Sequence, residues 1–527
     1  MKNATIFRVA IVGYVLVLCG LIAAYISVSL VHVKVSAYIQ GPVALIQGGP
    51  NAIRGFIMDA PTGRLFSDAQ TSYILNPGAS QVIAGAGKTE KHGYVHTVLD
   101  VSTAVAGPQT LKVVATHPLI KEFEAETSVD VVEPAPTTPW LKFTSRGTED
   151  TKSAGKKGDK NPEQSDWTGT LRVEALSPHV ELIRGLANSV AFRAVDLEGR
   201  PVPAKIEFTK FEGPIDGPLP ETLETDEFGL FTLEFKPVGG IRWGIKVTSL
   251  DTENPAEGAG DLTYLTVAAQ FNLKMQQNFV TPGEIVEGQV NTLHRNGGLL
   301  VDLYADDRWV FAGAYAIGAQ GAGLRAHAPG SVKPKLWRVQ VYEDVFEPGN
   351  AWDSKWVAVS RDGTCRSAID PTLSLLAENP RHTNFVEGFR TKMLSGPPMP
   401  EPRCNQLLGE LLQGFETHFV ESTLLINSQP AAEADLDTWK SEVKSWLVIL
   451  IGIALFVAFT VVMFFVAQGV AAAQHQRRMM EEVDFDLEGD GLQSPTWDRI
   501  AHIARVIILI GTVALFCVGL VMVLKLM

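Results

Sequence analysis

Apolar and polar positions along the chain fall into three regimes. In the first, Val9–Val31 and Val506–Leu524 carry no Asp, Glu, Lys, Arg or His, and the tract Ser445–Gln476 carries only His475. Each could supply the roughly 20 apolar residues that a helix needs to cross a bilayer. Three transmembrane α-helices are therefore expected. From about Val31 the period shortens to two: VHVKVSAYI alternates, NAIRGFIMD follows a Gly-Gly-Pro break, and TVLDVST, TLKVVATH and TSVDVVE recur between Gly, Pro and Asn signals. Many short strands at that spacing predict β-sandwiches. After about Gly363 the period becomes helical. Asp370-Pro371 reads as a capping side chain followed by proline at the first helical position, and Pro402 opens a further helix. Leu407, Leu408, Leu411, Leu412, Phe415 and Phe419 then share one helical face, the core of a small helical subdomain.

An internal repeat sets the domain count. Leu45-Ile46-Gln47-Gly48, Asn51, Asp59 and Gly63-Arg64 align with Leu182-Ile183-Arg184-Gly185, Asn188, Asp196 and Gly199-Arg200, and FVTPGEIVEGQVNTL from Phe279 is a third, weaker copy. Each copy reads as a strand, a glycine turn, an alternating strand and an Asp/Gly turn. The segment VELIRGLANSVAFRAVDLEGRPVPAKIEF, with TLETDEFGLFTLEF after it, resembles the macroglobulin-type immunoglobulin-like domains of α2-macroglobulin relatives and of bacterial surface proteins. That resemblance implies the fold. It does not extend to thioester chemistry, because Cys404-Asn405-Gln406-Leu407 and Cys365-Arg366-Ser367-Ala368 both lack the Cys-Glu-Gln order.

The expected organisation is a retained signal anchor over residues 1–33, a sandwich over 34–133, a Pro-rich and polar linker over 134–170, and further sandwiches over 171–268 and 269–360. A helical subdomain follows over 361–430, then a juxtamembrane segment and helix over 431–476, an acidic loop over 477–499 and a last helix over 500–527. A cleaved signal is disfavoured because the first apolar run is about twice the usual length and no A-x-A site follows Ala24. The fold class expected is thus a membrane protein with a mainly β ectodomain of three tandem Ig-like or macroglobulin-like sandwiches, a helical subdomain and three transmembrane α-helices.

Charge and cysteines orient this arrangement. Lys2, Arg8, Arg477, Arg478, Arg499 and Arg505 flank the helices on one side, against Lys34, Lys440, Lys444 and Lys525 on the other. This places the N-terminus and the 477–499 loop in the cytoplasm and residues 34–444 outside, at the cell inner membrane. Cys19 and Cys517 lie within apolar tracts, so Cys365 and Cys404 remain as an extracytoplasmic disulfide pair. The net charge of -13, with no basic cluster, excludes a nucleic-acid partner.

Candidate chemistry is sparse. His92 and His96 have helical metal-ligand spacing but lie in the strand-like HGYVHTVLD, where four residues span about 13 Å, and are read as surface residues. Asp306-Asp307 reads as a hairpin turn. No H-E-x-x-H, G-x-S-x-G or P-loop pattern occurs. Asp484, Asp486, Glu488 and Asp490 read as a solvated acidic linker, with docking to a basic partner as the alternative, and not as an EF-hand, since the twelfth position is Trp497 or Pro495. Gly13, Gly20, Ala24 and Ser27, with Ala454 and Ala458, form small-residue faces for helix packing. The expected function is a non-enzymatic envelope protein, scaffold or accessory subunit of a membrane complex, with other membrane or envelope proteins as partners. No cofactor or metal is expected. The alternative is a sensor coupling the ectodomain to the acidic loop, and a remote one is an enzyme whose site is assembled only in the fold.

Overall fold

Alternating strands bury their apolar side chains only when two sheets face each other, and the chain builds such a pair three times. The computed structural model describes residues 35–76, 81–134, 167–177, 182–268, 271–293, 297–306, 308–319, 321–344, 351–396 and 399–483. In the first sandwich one sheet runs Thr423–Asn427, Val35–Gly41, Pro50–Asp59, Tyr94–Asp100, with Arg64–Leu65 also on Pro50–Asp59. The other runs Ala44–Ile46, Ile120–Val132, Gly107–His117, Gln70–Leu75, Val82–Lys88. Ile39, Ile53, Ile57, Tyr73, Leu99 and Val113 fill the space between them.

The second sandwich sets Leu171–Ala175, Asn188–Asp196, Leu230–Pro237 and Ile215–Asp216 against Thr168–Gly169, Glu257–Tyr264, Ile241–Ser249, Ala204–Glu212 and Thr222–Glu224. Its centre is Trp243, with the rings of Phe192, Phe208, Phe235 and Tyr264 at centroid distances of 6.2, 5.9, 5.0 and 5.8 Å. In the third, Phe271–Met275, Ile285–Thr292 and Ala322–His327 face Phe279–Val280, Trp352–Val359, Leu336–Tyr342, Gly297–Ala305 and Arg308–Ile317 around buried Trp337.

The repeat in the sequence has a physical basis. Each sandwich has a short parallel pairing near its start, Leu45 with Val131, Ile183 with Val267 and Val280 with Val359. The turn that follows needs positive φ, supplied by Gly48 (71°), Gly185 (77°) and Gly283 (101°). Buried Asn51 and Asn188 close it alike. Asn51 accepts from Ile46 N at 2.8 Å and donates to Ile46 O and Gly49 O; Asn188 accepts from Ile183 N at 2.7 Å and donates to Ile183 O and Leu186 O. In the third copy the Glu284 carboxylate accepts from Thr281 N at 2.9 Å.

Three helices follow: α1, Cys365–Ala377; α2, Thr383–Ser395; and α3, Glu401–Leu412. The start of α1 differs from the sequence reading. Thr364 caps it through Ser367 N, so Pro371 lies inside the helix and not at its first turn. The helix accepts this proline because α1 is held by burial, with Ile369, Leu373 and Leu376 at most 1% exposed, and by the disulfide between Cys365 and Cys404 on α3, whose Cα atoms are 6.0 Å apart. One core embraces Leu373, Phe385, Phe389, Leu407 and Leu411 from the helices, Leu176, Val195 and Phe228 from the second sandwich, and Leu336 and Trp356 from the third. The helical subdomain is therefore a wedge between two sandwiches.

Beyond α3 the chain becomes a strap. Phe415 packs toward Trp356, and Phe419 meets Tyr342 and Trp352 at centroid distances of 5.2 and 5.6 Å. Trp356 Nε1 donates to Glu416 O, and Gln340 brackets the Val420 backbone, donating to its carbonyl at 2.9 Å and accepting from its amide at 2.7 Å. Thr423–Asn427 then pairs antiparallel with Val35–Gly41. Phe419 shares the helical spacing of the leucine stripe, but α3 has ended at Leu412 and this ring belongs to the strap.

The expectation of three transmembrane α-helices is corrected: the protein is a mainly β chain with a helical wedge, and among the described residues no helix is long and apolar enough to cross a membrane. The first and third apolar tracts lie outside the described residues. So do Gly13, Gly20, Ala24 and Ser27, and Asp484, Asp486, Glu488 and Asp490. The second tract falls in a 55-residue helix, α4, Gln429–Val483, which lies in the second of the chain's two compact units, Gln429–Met527. The side chains described for α4 are mainly those of its ends. Glu433, Asp435, Asp437, Lys440 and Glu442 mark one and Arg477 and Arg478 the other. Ala454 and Ala458 are in α4, and their side chains are not among those described.

Candidate functional site

Three buried arginines mark the seams between modules. At the seam of the first and third sandwiches Arg54, 1% exposed, projects from Pro50–Asp59 into the third sandwich. Its Nη2 donates to Asp302 Oδ1 at 2.8 Å, Val301 O at 3.3 Å and Gly313 O at 3.2 Å, its Nη1 to the Tyr342 hydroxyl, and its Nε to His96 Nδ1 at 3.3 Å. The guanidinium carbon sits 5.6 Å from the Trp309 ring centroid and 5.3 Å from that of Tyr342. Ala52, Tyr304, Trp309 and Ala312 surround the contact with apolar surface. Arg308 adds a bond from Nη2 to Gln47 O at 3.0 Å, in space left open by Gly49. Burial pushes the Asp302 carboxyl above its usual range, opposed by Arg54, and pushes the Tyr304 and Tyr342 hydroxyls well up.

At the seam of the second sandwich with the helical wedge, Arg193 reaches His382 Nδ1 at 2.8 Å, Glu174 Oε2 at 3.2 Å and Arg381 O at 3.2 Å, with its guanidinium 5.1 Å from the Phe385 ring centroid. Arg381 adds a bond to the same Glu174 oxygen at 3.0 Å. Burial pushes the Glu174 carboxyl up, but the charges of Arg193, Arg381 and Arg172 outweigh it and the net direction is down. At the third seam Arg338 lies 5.4 Å from the Trp356 ring centroid and bonds His418 of the strap at 3.4 Å.

The seams share one chemical plan: a guanidinium against an aromatic face, with an imidazole as acceptor. A guanidinium has donors only, so each histidine must accept and therefore be neutral. Burial, then the neighbouring guanidinium, push His96 and His382 down to about 3 and His418 down to about 4. Such seams position modules rigidly. They hold no nucleophile beside a base, and they bind the protein to itself.

The residues singled out in the sequence fall elsewhere. Cys365 and Cys404 form the disulfide, buried within the wedge. His92 lies on an exposed turn, whereas His96 is half-buried against Arg54 and not on the surface, because its strand faces the third sandwich. Asp306, at φ 52°, ends the hairpin strand Gly297–Ala305 and accepts from Lys335 N at 3.0 Å. Sequence reasoning passed over His382, for which no local pattern stands out, and over Arg54, Arg193, Asp302 and Arg338. A signal was present: NAIRGFIMD, VAFRAVD, LLVDLYA and LWRVQVY each place one charge among apolar neighbours on both sides, as in a strand covered on both faces.

No protein-family model and no curated protein matches the chain. Similar solved structures include Escherichia coli α2-macroglobulin in its native conformation, at 13% identity over 62% of this chain and 23% of that one, with a TM-score of 0.15. A tetra-tandem repeat from the extending region of a large adhesion protein is similar at 13% identity over 61% of this chain and 74% of that one, TM-score 0.15. Titin domains A168–A170 are similar at 9% identity, over 61% and 96%, TM-score 0.12. The chain thus spans under a quarter of the macroglobulin's length. The resemblance to bacterial α2-macroglobulins and Ig-like adhesion domains is weak and at the level of fold.

Proposed function

We propose that residues 34–444 form a non-enzymatic scaffold or accessory body, extracytoplasmic at the cell envelope, whose sandwiches present surfaces to another envelope protein. The observation that carries this reading is the set of arginine seams. Separating the modules would leave Arg54, Asp302 and Arg193 buried without partners or force them to rehydrate, and stranding one member of a buried pair costs roughly 3–5 kcal/mol. A body locked in this way holds surfaces from several modules at fixed spacing, so a partner spanning them need not meet the cost of ordering them. The outer face of the second sandwich is polar and paired, with Lys205 to Glu207 at 2.8 Å and Arg242 to Asp261 at 2.5 Å. The Cys365–Cys404 disulfide supports an oxidising compartment.

Crosslinking in intact cells, followed by identification of captured proteins, tests the role. A reproducible partner other than this chain is expected, and recovery of this chain alone would count against a scaffold. Because both disulfide cysteines are buried, location is better tested at an exposed turn position. A Lys91→Cys variant should react with an impermeant thiol reagent on intact cells, and reaction only after permeabilisation would overturn the extracytoplasmic placement.

A further inference from the structure

The first sandwich is not closed by its own stretch of sequence. Its edge strand, Val35–Gly41, is covered by Thr423–Asn427, with Tyr38 opposite Asn427, Ile39 opposite Ile426 and Gln40 opposite Leu424. Ser428 finishes the pairing, its Oγ accepting from Ala37 N at 2.8 Å and its amide donating to Ala37 O at 3.1 Å, across a separation of 391 residues. We infer that Thr423–Asn427 is an exchangeable clasp, and that the edge it fills is an association site for the same strand of a second copy of this chain.

Three features of the strap lead there. It lies at the end of its sheet, so it can leave or arrive without breaking any other strand pair. Its hold is short, five residues interrupted by a bulge, with only Ile426 buried while Leu424 is 43% exposed. It is joined to the body through Glu421, an exposed position between the Gln340-bracketed Val420 and the strand, where the chain can redirect.

The groove is shaped for this segment. Phe419, between Tyr342 and Trp352, and Val420, on Ala52, Tyr304 and Trp309, hold the strap to its own body up to Glu421; beyond it Gly41 leaves the space that Leu425 occupies, and Ile426 enters the core of the first sandwich. A strand without this order of side chains would forfeit the Leu425 and Ile426 contacts, whereas the same strand of a second copy reproduces both. Reciprocal exchange therefore changes no contact energy and is governed by concentration, in the manner of domain swapping. Exchange closes a pair of chains and does not depend on what the sandwiches bind.

The test uses the full chain with Cys19→Ser and Cys517→Ser. Gln40→Cys and Leu424→Cys, which face each other in the register, are placed together in one chain and, separately, in two chains co-produced in the same cells. The double variant should close within itself, which reports the register. The co-produced singles should give a reducible species of twice the chain mass that neither single yields alone, with a yield that falls on dilution before oxidation. A control pairing Gln40→Cys with Glu421→Cys should give none. Closure of the double variant without any mixed dimer from the singles overturns exchange, and failure of the double variant to close overturns the register on which it rests.

Discussion

His382 offers a quantitative test of the arginine seams. It is 0% exposed, accepts from Arg193 at 2.8 Å, and is pushed down to about 3 by burial first and by Arg193 and Arg381 next, with Glu174 opposing. Between the ordinary histidine value of 6.5 and that value, the unfolded chain binds a proton here and the folded chain does not. Stability must therefore fall as pH falls through this window, by about 1.4 kcal/mol per pH unit from this residue. From pH 6.5, where half of the unfolded chains already hold this proton, to pH 4.5 the loss is about 2.3 kcal/mol. A His382→Gln variant keeps a carbonyl acceptor for Arg193 but cannot take up the proton. It should be less stable at pH 6.5, by about 1 kcal/mol for an imperfect hydrogen bond. Its stability curve should then be flatter than that of the unmodified chain and cross it near pH 5.5 to 6. Urea unfolding at pH 6.5, 5.5 and 4.5, followed by tryptophan fluorescence, measures the two slopes, and His96 and His418 cancel because both chains carry them. Unfolding at pH 5 should also take up about one proton fewer in the variant. Parallel stability curves over this range would refute the neutral acceptor role.

Other consequences are as direct. Asp302→Ala strands the Arg54 charge and should cost roughly 3–5 kcal/mol in a denaturant series, whereas Arg54→Met with Asp302→Leu should cost less than the single change; a double variant weaker than the single would refute the pair's role. Replacing Cys365 and Cys404 with serine opens a loop with a sequence separation of 39 and should remove about 4 kcal/mol, read as a lower denaturant midpoint that reductant does not lower further. Asn188→Ala removes three hydrogen bonds from a buried turn and should destabilise by about 2–3 kcal/mol, with faster amide exchange at Ile183; unchanged exchange there would show that the turn does not depend on Asn188.

Local physics was legible in the sequence where local residues decide it. Gly48 and Gly185 recur because the turn after the parallel pairing needs positive φ, and Asn51 and Asn188 recur because one amide satisfies three backbone groups there. The cysteine pair could be chosen by elimination. Pro371 misled because a proline marks the first turn of a helix only when burial does not override it, and α1 is buried and stapled. The seams were not legible as pairs. Arg54 and Asp302 are 248 residues apart, and nothing near either one names the other. The same holds for Thr423–Asn427, whose pattern TLLIN reads as a strand but whose partner depends on how three sandwiches stack. The long apolar tracts were plain in composition, yet a run of apolar letters does not say where a helix begins and ends. The helix that contains the second tract starts at Gln429 and continues to Val483.

The pairing of Val35–Gly41 with Thr423–Asn427 also sets an order in time. The first sandwich leaves the ribosome before the other two, and it cannot be finished until the residues that close it have been made, 391 positions later. At roughly 5–20 residues per second, that interval is about 20–80 s. Throughout it the strand Val35–Gly41 presents an unpaired backbone edge beside Ile39 and Ile53, the kind of surface that recruits stray strands. Of the three sandwiches the one synthesised first is thus the last to mature, and a nascent chain should engage holdase chaperones through Val35–Gly41 until Thr423–Asn427 has been made.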